Sequence, residues 1–180
     1  MEANRDVLLR GLLAINVKAM RDTEQAMARF KRRLGHIVQL MDDASNAEQS
    51  KDAFISFTSV TKQLEAAQNR RQKHFFFITV ICRWFKARGE EDSSLRDVVG
   101  EYWSVRDHQM PTDLIPRDVA VSWAQSVTRC LARMDASERD LAMPQHLAVF
   151  AGLSELADSV SRERVSCLKL IESISKWLAG

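Results

Sequence analysis

A chain of 180 residues with 46% apolar and 28% charged side chains can bury one sizeable core or two small ones, which excludes wholesale disorder. Six glycines and three prolines are too few for the tight turns of an all-β fold. The net charge of +2 conceals an imbalance. Up to Arg88 there are 16 Lys and Arg against 9 Asp and Glu, a net of +7; from Gly89 onward there are 10 against 15, a net of −5. The charge step predicts two domains, a basic one over 1–89 and an acidic one over 90–180. It also points to a polyanion partner for the basic half, or to head-to-tail self-association.

Residues 4–42 read as one long helix or two in close succession. Leu13, Met20, Met27, Leu34 and Met41 recur every seven residues, with Phe30 and Ile37 in the alternate position, an apolar seam of the a/d kind. The repeat weakens at Asn16 and Thr23, where Asp22 and Gln25 could cap a second helix. Gly35 lowers helix propensity by about 1 kcal/mol relative to Ala. The methionines suit adaptable packing better than a strict coiled coil.

Asp42 to Gln49 reads as a polar loop. A helix from near Ser50 then carries Phe54, Phe57, Thr61 and Leu64 on one face. The run from Phe75 to Phe85 is apolar all round, so periodicity does not separate buried helix from buried strand. A core helix is the better reading, because no second strand-like run exists to pair with it. At about half the ~20 residues that span a bilayer, the run predicts no membrane segment and no membrane partner.

Glu90 to Ser94 reads as a link, with Ser93 or Ser94 capping a helix that runs to about Gln109 and presents Leu95, Val98, Val99, Tyr102 and Trp103. Pro111 and Pro116 frame a turn. A helix from about Arg117 to Met134 follows, with Val119, Trp123, Val127 and Leu131 at helical spacing. Ser137 caps a short turn ending at Met143, and two further helices cover roughly 145–160 and 161–179. The last has Cys167, Leu168, Ile171, Ile174 and Leu178 on its buried stripe. The expected fold is all-α, about eight helices in two packed bundles.

Catalytic and metal signatures are missing. Cys82, Cys130 and Cys167 form no CxxC pair and read as small buried hydrophobes in a reducing compartment. His36, His74, His108 and His146 are too scattered for a local ligand set. Glycine-rich phosphate loop, nucleophile elbow and HExxH are all absent, and the acidic runs Asp42-Asp43 and Glu90-Glu91-Asp92 suit solvated loops. The first residues carry acids and Asn before any apolar run, unlike a signal peptide. The chain is therefore expected to be a cytoplasmic protein, not an enzyme, with neither metal nor cofactor.

The informative feature lies opposite the N-terminal seam. At 100° per residue Lys18, Arg21, Gln25, Arg29, Arg32 and His36 point away from the apolar stripe, with Asp22 and Glu24 on its flanks. This stripe would run about 27 Å along a helix, enough to follow several phosphates of a duplex. Arg33 and Lys31 widen it. Most basic helix faces are only solvated, but they usually intersperse acids at i,i+4. A second group, Arg70, Arg71, Lys73 and His74, precedes the Phe75–Phe85 run, and Arg83, Lys86 and Arg88 follow it. Trp84 and Phe85 among these bases could stack on nucleotide bases, although core packing is the commoner duty. No helix-turn-helix, zinc-finger or RNA-recognition signature appears, so any binding would be directed at the backbone.

With the stripe Lys18, Arg21, Arg29 and Arg32, the cluster Arg70, Arg71 and Lys73, and the all-helical layout, the chain resembles the small silencing-suppressor proteins of closteroviruses. The resemblance covers size, helix content and charge layout over the full length, without a diagnostic motif. It implies two helical halves, self-assembly into a ring with a positively charged inner surface, and sequence-independent binding that withholds short RNA duplexes from host silencing. The acidic C-terminal half departs from that pattern; in a ring it could meet the basic half of a neighbour. The competing reading is a helical adaptor that docks a protein partner and has no nucleic-acid activity.

Overall fold

Two helices of more than forty residues each dominate the computed structural model, which describes residues 2–90, 93–100 and 115–142. Helix α1 covers Glu2–Asp43 and α2 covers Ala47–Ala87. Helix α3 covers Ser93–Val99, α4 covers Arg117–Ala132, and a further helical stretch occupies 136–142. Among the described residues there is no strand, so the chain is all-α. The helices expected over 145–160 and 161–179, and the part of the third helix beyond Gly100, lie outside the described residues.

Helix α1 is continuous, so of the two readings open for residues 4–42 the single long helix holds, with no break near Asp22 and Gln25. The two polar residues at which the repeat weakens bond back into the helix. Thr23 Oγ1 donates to the carbonyl of Ala19 at 2.7 Å, and Asn16 Nδ2 to that of Leu12 at 2.8 Å. The loop expected over Asp42–Gln49 shrinks to residues 44–46. Asn46 is the reason. Its Oδ1 accepts the Gln49 backbone N–H at 2.9 Å, while Gln49 Oε1 accepts from the N–H and hydroxyl of Ser45. This is a reciprocal cap that starts α2 at Ala47, three residues before the expected start near Ser50.

The Phe75–Phe85 run is helical, the C-terminal part of α2. It ends in a Schellman motif: the Glu90 N–H reaches the Phe85 carbonyl and the Gly89 N–H that of Lys86, with Gly89 at φ 71°. Before α4, Pro116 leads in and its carbonyl accepts the Ala120 N–H at 2.9 Å.

The described residues form two compact units, each built from segments on both sides of residue 89. In one unit, residues up to Gln25 and from Gln68 onward bring α1's Leu13, Val17 and Met20 against α2's Phe75, Ile78, Ile81, Trp84 and Phe85. Leu95 and Val99 of α3 close this core, whereas Val98 is exposed. In the other unit, Met27, Leu34, Ile37 and Met41 of α1 pack with Phe54, Phe57, Val60 and Leu64 of α2. Val127, Cys130 and Leu131 of α4 complete it, and Trp123 meets Phe57 edge-on at 6.3 Å. All five seam residues from Leu13 to Met41 are buried.

Candidate nucleic-acid interface

The proposed stripe keeps its side chains in solvent. On α1, Lys18 and Arg21 are exposed in the first unit, and Arg29, Arg32, Arg33 and His36 in the second. Helical spacing puts the last four within about 10 Å along the axis. The two flanking acids behave differently. Glu24 reaches over to α2, where its Oε1 lies 3.6 Å from Arg71 Nε. Asp22 stays exposed four residues after Lys18, so this end of the stripe carries one negative charge. Arg21 extends over the backbone of Gly100, where a Cβ would stand 2.9 Å from its Nη2.

The second basic group does not hold together as a surface cluster. Arg70 and Lys73 are exposed on α2, but Arg71 is buried beside Glu24. His74 turns inward as well, its Nδ1 2.9 Å from Asn16 Oδ1. The reason is helical geometry: residues 71 and 74 lie on the side of α2 that faces α1, whereas 70 and 73 lie on the outer side. Arg88 is exposed, yet it is tied to Glu90 at 2.7 Å and stacks on Trp84 at 4.5 Å. Arg83 and Lys86 are half-buried and partnered. Arg71 and His74 thus belong to packing and Arg83, Lys86 and Arg88 have partners, whereas Lys18, Arg21, Arg29, Arg32, Arg33 and His36 on α1 and Arg70 and Lys73 on α2 face solvent.

Of the two duties open to Trp84 and Phe85, core packing is the one observed. Trp84 and Phe85 are 5% and 0% exposed, so neither can receive a base. Trp84 is held between Arg5 and Arg88, with guanidinium carbons 5.2 and 4.5 Å from the ring centroid, and Arg10 lies over Phe85 at 5.0 Å. These cations cover the core edge. Among the described residues the exposed aromatic is Phe77, half in solvent and one turn beyond Lys73. Lys62 is a further exposed cation on the outer side of α2, eight residues before Arg70. Its i,i+8,i+11 spacing with Arg70 and Lys73 was present in the sequence, but the surrounding residues lack the density of charge that marks a cluster.

Among the described residues no group of three His, Cys, Asp or Glu side chains stands close enough for a metal ion, and no helix is long and apolar enough to cross a membrane. Burial pushes the Cys82 thiol up to about 11, partly offset by Lys86. Burial also raises the Cys130 thiol, which donates to the Ser50 carbonyl at 3.0 Å. Both favour the unreactive protonated form. Comparison with protein-family models, curated proteins and solved structures finds no match to this chain.

Proposed function

We propose that this protein binds short RNA duplexes through their phosphate backbones, without regard to sequence, and so withholds them from a silencing machinery as a viral suppressor acting in the cytoplasm. On this reading the chain assembles with copies of itself and builds about eight helices in two packed bundles. The observation that supports it best is the exposure of Arg29, Arg32 and Arg33 within little more than one turn of α1, while nearby Glu24 is drawn off to Arg71. A helix face of this kind offers closely spaced cations to phosphates, the contact that carries affinity without sequence information. Phe77 beside Lys73 adds a π surface suited to a frayed or single-stranded end.

The test is fluorescence anisotropy with a labelled duplex of ~21 base pairs, titrated at several salt concentrations. Phosphate-directed binding makes log K fall with log salt by about 0.7 to 0.9 per contact. The Arg29→Glu/Arg32→Glu variant, folded by circular dichroism, is expected to lose at least ~10-fold in affinity and about 2 units of salt slope. Full affinity in that variant would remove the stripe from the interface. Absence of binding by the unaltered protein even at low salt would favour the adaptor reading.

A further inference from the structure

We propose that the N-terminal face of α1 docks into an acidic groove beside the α1–α2 turn of a second copy of this chain. The proposal rests on the reading of the protein as self-assembling and goes beyond it by naming the two surfaces.

The donor surface is an exposed aliphatic face. Val7, Leu8 and Ile15 are 72%, 62% and 66% exposed, and Leu12 is 41% exposed. Helical spacing gathers them on one side of α1, apart from Leu13 and Val17, which fill the core. Four exposed aliphatics gathered on one helix face suit a contact surface better than singly scattered ones do. Gly11 sits among them with open space where a Cβ would be, so another backbone can come close.

Charge decides what covers the face. Exposed Arg5 and Lys18 stand at its two ends. Pairing two such faces in parallel sets Arg5 against Arg5, and pairing them antiparallel sets Arg5 against Lys18, a repulsion that the exposed Asp22 one turn past Lys18 only partly offsets. The fitting partner has an apolar floor and negative walls. The chain carries such a surface in its other unit. A groove of about 420 Å³ is lined by Leu40, Ala44 and Ala53, with Asp43 and Asp52 among its walls. Leu40 is 49% exposed there, and both acids face solvent. An amphipathic helix laid in an apolar groove, with flanking charges matched, is a recurrent mode of recognition. Because donor and acceptor differ, each copy has both to offer. Such a contact repeats head to tail and closes into a ring if the rotation allows, or extends as a filament if it does not.

Sedimentation equilibrium on the full chain at ~50 μM, with the RNA titration run in parallel, tests the proposal. The unaltered protein is expected to exceed monomer mass. Leu8→Asp/Ile15→Asp should be monomeric with unchanged helical circular dichroism, since neither side chain enters a core. Lys18→Glu and Asp52→Lys should each weaken assembly by at least tenfold, and the two together should restore it. A monomeric unaltered protein would overturn the proposal, as would an oligomer that survives Leu8→Asp/Ile15→Asp. A monomer that floats with phosphatidylserine vesicles until Leu8 and Ile15 are changed would assign the face to lipid and overturn it too. An oligomer with these mutational responses that ignores RNA keeps this contact and discards the RNA reading. A monomer that binds RNA with a steep salt slope does the reverse.

Discussion

At the scale of single residues, ionisation ties several side chains to measurable behaviour. Partial burial pushes the Asp42 carboxyl upward, but hydrogen bonds from Arg129 and Ser126, with the charge of Arg133 nearby, outweigh it and hold the group below the usual carboxylate range. A depressed folded-state value means stability that is present above the unfolded carboxyl's ~3.9 and is lost as pH falls through the folded value. Asp42→Asn is therefore expected to cost about 0.2–1 kcal/mol at pH 7, the range of a well-exposed pair. The gap between the two proteins in thermal melts should narrow as pH is lowered past ~4; a gap constant with pH would show that the ion pair is not its source. Cys82, held protonated by burial, should resist thiol reagents at pH 8 until denaturant is added, as read by peptide mapping of the labelled sites. Rapid labelling of Cys82 in the native protein would mean that its part of α2 opens readily. Arg71 illustrates what a sequence hides at this scale: its burial depends on Glu24, 47 residues away, and no local pattern announces that pairing.

At the scale of elements, periodicity carried most of the information. The seven-residue spacing from Leu13 to Met41 located the buried side of α1, and Phe54, Phe57, Thr61 and Leu64 located that of α2. Helix ends were harder. Asn, Thr and Gln stabilise a helix start when their oxygens meet free N–H groups, and merely ride inside a helix when they bond back to a carbonyl. Thr23 does the second and Asn46 the first, a difference set by backbone geometry that composition does not record. The run Phe75–Phe85 was legible as helix by elimination, but its outer residue Phe77 was not, because an unbroken apolar run contains no phase. The packing makes a sharp contrast testable. Leu34→Ala empties a fully buried site and should cost about 2–5 kcal/mol in urea unfolding. Leu8→Ala, on the exposed face of the same helix, should stay within about 0.5 kcal/mol in a monomeric sample.

At the scale of the whole molecule, charge and packing follow different lines. The charge step falls at the end of α2, between Arg88 and Glu90, whereas the compact units divide both long helices near Gln25 and Ala67. A sum of charges along the chain cannot see this, because it ignores which segments return to the same core. The candidate interface was legible in the same uneven way. Every stripe position on α1 is exposed, as its phase against the seam required. The α2 group was read as a cluster because its members are consecutive in sequence, and consecutive residues on a helix point in different directions. If RNA binding is confirmed, mutational effects should therefore concentrate at Arg29, Arg32, Arg70 and Lys73 and be weak in affinity, though costly in stability, at Arg71.

Three buried polar residues of the first unit have one more consequence. Thr23, Gln68 and Arg71, with Glu24 beside them, occupy the last turn that this unit takes from α1 and the first it takes from α2. Methionines spaced by sevens tolerate a partner helix slipped by one turn, since a flexible thioether fills whatever gap results. An arginine facing a glutamate does not: a slip of about 5.4 Å would set the buried guanidinium against aliphatic side chains. The polar layer thus acts as an index mark that fixes the register of two otherwise permissive helices.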